Sequence, residues 1–137
     1  MSAGRVVLDS YALLAFLRGE PGEEKVATLL ERAGVRDEPV HMTEVNYAEV
    51  KYIVVRKGGK ERWEEIAGEL PALPIEFHPA SRALAEVAAD LKSRYKLSLA
   101  DAFAAALARE KKAQLVTGDR EFHALEKEIK ITWLADT

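Results

Sequence analysis

The chain has 137 residues, 48% of them hydrophobic and 31% charged. That is the balance of one folded domain, residues 1–137, with a sizeable core rather than of a disordered segment. A formal charge of −3 argues against a nonspecific nucleic-acid coat protein, and the lack of cysteine excludes disulfides, thiolate metal sites and a thiol nucleophile. The N-terminus shows neither a signal-peptide pattern nor an apolar run of membrane-spanning length, so the expectation is a cytoplasmic protein with no membrane partner.

In chain order, Arg5 to Leu8 reads as a short buried strand, stopped by Asp9. Ser10 is placed to cap a helix from Tyr11 to about Arg18, with Leu13, Leu14, Phe16 and Leu17 as its apolar face. Gly19-Glu20-Pro21-Gly22 makes a turn, and a second helix runs from about Glu23 to Ala33. A strand is expected around Pro39 to Met42. Thr43 then caps a helix to about Lys57, ended by Gly58-Gly59, and another helix from Lys60 to about Leu70 is broken by Pro71 and Pro74. Leu73 to Phe77 reads as a strand and Pro79 to Tyr95 as a helix. Ser98 caps the alanine-rich helix Leu99 to Lys111. Gln114 to Thr117 is a strand, Arg120 to Lys127 a short helix, and Ile129 to Leu134 a terminal strand. This alternation predicts an α/β fold, a three-layer α/β/α sandwich around a mostly parallel sheet. Ligands of such folds sit beyond the carboxyl ends of the strands, where the strand order switches.

Four carboxylates stand where a surface-seeking residue is poorly explained: Asp9, Glu49, Asp101 and Asp119. Asp9 and Asp119 follow buried strands, although each also fits a helix-capping role. On a wheel of about 100° per residue, Glu49 falls between Val45 and Ile53 rather than on the polar side. A charge there needs a partner, since an unpaired buried charge is very costly; a snorkelling Glu at the stripe's edge, or one paired with Arg56, is the bland alternative. Asp101 is the only charge between Leu97 and Ala108, and it also suits a helix N-terminus after Ser98. Carboxylates held together repel and raise one another's pKa unless a cation neutralises them. Oxygen-only ligands select hard ions such as Mg²⁺ or Mn²⁺, which serve phosphodiester chemistry. With these four acids neutralised the remainder of the chain is slightly basic, so net charge does not exclude a polyanionic substrate.

The segments L-D-S-Y-A-L-L-A-F-L, Y-A-E-V, L-S-L-A-D-A-F-A-A-A-L-A and L-V-T-G-D-R-E-F, in that order from Leu8 to Phe122, resemble the PIN domain family. The likeness is strongest to the VapC toxins of type II toxin–antitoxin systems. The resemblance spans Arg5 to about Leu134 and implies that Asp9, Glu49, Asp101 and Asp119 are metal-binding acids. It further implies a Mg²⁺- or Mn²⁺-dependent endoribonuclease, in which the acids hold the ion and water attacks phosphorus. A homodimer and a VapB-type antitoxin that blocks the site with its C-terminal segment are the implied partners, alongside the RNA substrate. Thr117 matches a hydroxyl-bearing position beside the last acid, though a β-branched strand residue explains it equally. Glu121 reads as a solvated first-turn residue, with an outer carboxylate role as the alternative.

His41, His78 and His123 lack the spacing of a two-histidine metal motif and read as structural or exposed. Trp63 and Trp133 read as core or interface anchors. Two other functions compete: a non-catalytic RNA- or protein-binding module on the same fold, and a phosphoacceptor receiver. The receiver lacks a late strand-end lysine, because Thr117 is followed by Gly118-Asp119.

Overall fold

The structure is a computed structural model that describes residues 4–134. Five strands, β1 (Val6–Leu8), β2 (Val40–Thr43), β3 (Ile75–His78), β4 (Gln114–Thr117) and β5 (Ile131–Trp133), form one sheet in the order β3-β2-β1-β4-β5. Every pairing is parallel, with Val7 opposite both His41 and Leu115, and Val40 opposite Ile75. Parallel strands require crossovers, and the helices that supply them cover both faces. These are α1 (Ser10–Arg18), α2 (Glu23–Arg36), α3 (Glu44–Glu69), α4 (Arg82–Arg94) and α5 (Leu99–Lys111). The expected α/β/α sandwich is therefore the observed architecture.

Period-two alternation in the strands decides which face each core occupies. Val6, Leu8, Val40 and Val116 pack on Ala12 and Ala15 of α1 and Val26 and Leu30 of α2. Met42 on the same face meets Leu13 and the α3 residues Val50, Trp63 and Ile66. Val7 and Leu115 face the other way, onto Leu84, Ala88 and Leu91 of α4 and Phe103 and Leu107 of α5. Every residue of α5 from Asp101 to Ala108 is buried. Its small alanines let the helix lie against the sheet while α4 covers its outer side, consistent with the close approach that small residues permit.

Local chemistry explains the boundaries. At Gly59, φ 86° and ψ 169° break α3 where the glycine pair predicts an end, since this backbone conformation is open to glycine and strained for other residues. α4 starts at Arg82 rather than Pro79, because the Ser81 hydroxyl accepts the Leu84 N–H at 3.1 Å and leaves Pro79-Ala80 outside. α2 runs one turn beyond the expected Ala33, to Arg36. Residues Arg120–Leu125 coil as a 3₁₀ helix rather than an α-helix. Asp9, not Ser10, is the N-cap of α1: its Oδ1 accepts the Ala12 N–H at 2.8 Å, and Ser10 becomes the first helical residue.

Candidate metal centre

The sheet order places the topological switch between β1, whose chain continues to β2, and β4 on its other side. Asp9 leaves the end of β1 and is almost fully buried. While Oδ1 caps α1, Oδ2 accepts the Thr117 hydroxyl at 2.5 Å. The same hydroxyl oxygen accepts the backbone N–H of Asp119 at 2.9 Å. One fully buried threonine thus joins the end of β1 to the turn after β4. The hydroxyl both donates and accepts, so the strand-residue account of Thr117 is incomplete.

Asp119 leaves β4 through Gly118 and takes the N–H of Glu121 on its Oδ1 at 2.9 Å. Carboxylate oxygens of Asp101, Asp119 and Glu121 come within 4.8 Å of one another. Glu121 is exposed as a residue, but its carboxylate joins this cluster rather than facing away into solvent. Asp101 enters from the first turn of α5, where the Ser98 hydroxyl accepts its N–H at 3.1 Å. Gly118 is required here by close approach: a Cβ on it would lie 2.2 Å from the Tyr11 ring.

Glu49 lies half-buried in the first half of α3, and its charge is felt at Asp9. Among the described residues Glu49 forms no ion pair with Arg56, which leaves a snorkelling position at the edge of the apolar stripe as its bland account. Sequence reasoning missed Asn46. This fully buried side chain donates to Ser10 Oγ at 3.0 Å and to the Ala100 carbonyl at 3.2 Å. Its Oδ1 accepts the Thr43 hydroxyl at 2.5 Å. Asn46 therefore ties together the N-terminal turns of α1, α3 and α5, the segments that carry Asp9, Glu49 and Asp101. A signal was present: Asn46 shares one helical stripe with Val50 and Val54, both buried.

The sequence matches the PIN domain family model over residues 6–128. This chain belongs to the PIN domain family. PIN domains are in general nucleases that use divalent metal. Similar solved structures include DNA-bound VapBC from Salmonella typhimurium, at 15% identity over 96% of this chain and 98% of that one, with a TM-score of 0.75. VapBC2 from Rickettsia felis, bound to a promoter DNA fragment, aligns at 15% identity over 93% and 96% with a TM-score of 0.73. The Mycobacterium tuberculosis toxin VapC20, described as cleaving the sarcin–ricin loop, aligns at 18% identity over 88% and 94% with a TM-score of 0.68. At such identities the likeness is one of fold. A comparison with curated proteins gives no match.

In this PIN domain the donor chemistry fits a hard divalent cation. Among the described residues, no lysine, arginine or histidine forms an ion pair with Asp9, Glu49, Asp101, Asp119 or Glu121. Burial pushes Asp9 up to about 7, against the opposing hydrogen bonds from Thr117 and Ala12 and with added repulsion from Asp119 and Glu49. Burial, followed by its contacts with Glu121 and Asp119, pushes Asp101 up to about 9. Carboxyl groups that resist ionisation, supply only oxygen donors and lack a cationic side chain form a site that a divalent ion would complete. Asp101, Asp119 and Glu121 are placed to hold it, with Asp9 and Glu49 beside them.

Proposed function

We propose that this PIN domain is a Mg²⁺- or Mn²⁺-dependent endoribonuclease that hydrolyses RNA phosphodiester bonds, the toxin of a VapBC-type pair. The observation that carries this reading is the convergence of Asp101, Asp119 and Glu121 oxygens within 4.8 Å, with no cationic side chain among them. Asp9, Glu49, Asp101 and Asp119 are assigned as the metal-binding acids, and Glu121 is added to them. When bound, the ion supplies Lewis-acid polarisation of the phosphate and lowers the pKa of water.

The chain's own residues do the positioning. Thr117 fixes one oxygen of Asp9 and the backbone of Asp119, so the two strand ends cannot drift apart independently. Asn46 holds three helix starts in register. A carboxylate offers about four lone-pair sites, so Asp9 retains acceptor capacity beyond its two internal hydrogen bonds. An exposed Glu121 at the rim leaves the cluster open on one side to a phosphodiester. A VapB-type antitoxin is the assigned partner, with a basic side chain entering the acidic cluster as charge-assisted hydrogen bonding favours. The VapBC complexes among the similar folds support this assignment. A homodimer in the cytoplasm belongs to the same reading; no helix among the described residues is long and apolar enough to cross a membrane.

The test is cleavage of a panel of structured RNAs by the purified chain, with end-mapping of the products. Cleavage that needs Mg²⁺ or Mn²⁺, stops with EDTA and is lost in Asp101→Asn supports the proposal. Cleavage that persists in EDTA or in Asp101→Asn would overturn the site. Tight RNA binding without cleavage would favour the non-catalytic module.

A further inference from the structure

A second cluster of candidate metal ligands lies on the opposite arm of the sheet, across β2 and the edge strand β3. Val40, Met42, Ile75 and Phe77 turn to the face packed by α1, α2 and α3, which puts the alternate residues His41, Glu76 and His78 together on the other face. α5 covers β1, β2 and β4 on that face, while β3 is the edge strand. Thirty-seven residues apart in sequence, His41 Nδ1 and His78 Nε2 come to 2.8 Å. Glu76 Oε2 lies 3.0 Å from His78 Nε2 and 3.6 Å from His41 Nδ1. Both imidazoles are largely buried, whereas the Glu76 side chain is half exposed. Of the two readings of these histidines, exposed or structural, this burial removes the first and leaves the second.

We infer that His41, Glu76 and His78 form a binding site for a borderline divalent transition ion such as Zn²⁺, distinct from the acidic cluster and stapling the edge strand β3 to β2. Two imidazole nitrogens and one carboxylate oxygen are the ligand set that suits Zn²⁺ and not Mg²⁺. A tetrahedral ion with bonds of about 2.0–2.1 Å holds its ligand atoms about 3.3–3.4 Å apart. The observed separations of 2.8, 3.0 and 3.6 Å straddle that spacing, so the three atoms adjust by about half an ångström to accept the ion. Three protein ligands would leave a fourth position for water. Burial, then the neighbouring His78, holds His41 below its ordinary pKa against the opposing pull of Glu76, with weaker help from Lys111 and Arg5. Neutral imidazole is the form that ligates metal.

The site is separable from the acidic cluster because β3 stands two strands from β1, about 10 Å at the usual spacing. The inference does not rest on the nuclease reading. Its test uses the full chain carrying Asp101→Asn and Asp119→Asn, so that the acidic cluster is disabled as a metal site. Zn²⁺ is titrated in competition with a chromophoric chelator, and Co²⁺ is added separately as a spectroscopic probe. One tight equivalent of Zn²⁺ per chain is expected. At a hundredfold excess over its Kd it should raise Tm by at least about 5 °C. Glu76→Gln or His78→Gln should weaken binding by about 100-fold or more, since even outer-shell partners of a metal are worth 10–100-fold. Co²⁺ should give the intense visible bands of four-coordinate geometry. Equal Zn²⁺ affinity with and without those two substitutions overturns the site, as does a Co²⁺ spectrum of six-coordinate type only, which needs no variant at His41, Glu76 or His78.

Discussion

At the carboxyl ends of β1 and β4, Asp9 and Asp101 are buried among other acids and held toward neutrality. At the opposite end of the strands, just before β5, Glu128 accepts hydrogen bonds from Arg94 and Tyr95 and is held below the usual carboxylate range by Arg94 first and Tyr95 second. Both regions tie helices to the sheet with carboxylates. Glu128 has its cation built in, at 2.9 Å, while the acids at the switch point have none. On the proposed reading the difference separates a structural carboxylate from one arranged for an external cation: the first is complete in the folded chain, and the second would be completed by an ion.

The largest expected effect breaks this contrast directly. Asp101→Asn should lower Mg²⁺-dependent RNA cleavage by at least about 100-fold, or about 2.7 kcal/mol of transition-state stabilisation. The same substitution should raise the Tm of the metal-free protein at pH 8, because a neutral amide replaces a carboxyl that burial and Glu121 discourage from ionising. Activity lost with stability gained is the signature of a site tuned for a ligand. A variant that loses both would instead mark Asp101 as a packing residue.

The pH dependence is next in size. An ordinary aspartate titrates near 3.8, and Asp9 and Asp101 are raised to about 7 and about 9. For a raised group the folded chain holds the proton that the unfolded chain has released. The stability it contributes is therefore complete below pH about 4 and is lost as pH climbs to the folded value. The loss runs at roughly 1.4 kcal/mol per pH unit for each group, ending near pH 7 for Asp9 and near pH 9 for Asp101. Between pH 7 and 9 the metal-free protein should lose denaturation midpoint steadily, and Asp101→Asn should flatten that slope. His41 is lowered rather than raised, so its contribution has the opposite sign and does not account for such a loss. Mg²⁺ favours the ionised acids, so its effect on Tm should be larger at pH 9 than at pH 7. A metal-free midpoint that stays level or rises over this range would remove the electrostatic basis of the site.

Much of this arrangement was legible because apolar runs announce strands and a charge that ends one must be explained. Asp9 after Val6-Val7-Leu8 and Asp119 after Leu115-Val116-Thr117 were found that way, and the glycine pair at 58–59 marked the break in α3. What stayed hidden depended on pairings between distant segments. The meeting of His41 and His78 follows from the register of β2 against β3, which no local pattern fixes. The meeting of Glu121 with Asp101 depends on how α5 is placed against the turn after β4, again a pairing of distant segments. Asn46 was visible as a polar residue on an apolar stripe, but its three partners lie on other elements.

Thr117 offers a smaller and sharper probe of the acidic region. Thr117→Val keeps the shape and removes both the donor to Asp9 and the acceptor for the Asp119 N–H. Leaving those buried groups without partners should cost about 1–3 kcal/mol in chemical denaturation at pH 8. The Asp9 pKa should climb further, since the Thr117 bond is the largest influence opposing its rise. Thr117→Ser retains the hydroxyl and should recover the pKa, while giving up a methyl contact. Equal pKa values in the Val and Ser variants would show that the hydroxyl does not hold Asp9.

The smallest effect is expected on the other side of the comparison. Glu128→Gln removes the charge that Arg94 and Tyr95 share, yet all three side chains reach water and the pair is screened there. Its thermal midpoint at physiological salt should match that of the unmodified chain within the error of the melt, and RNA cleavage should be unchanged. At low salt a small loss should emerge, because screening is what hides the pair. A salt-independent drop comparable with that of Thr117→Val would mean that the Glu128 network is as structurally committed as the acidic cluster. The presence or absence of a built-in cation would then no longer separate the two ends of the sheet.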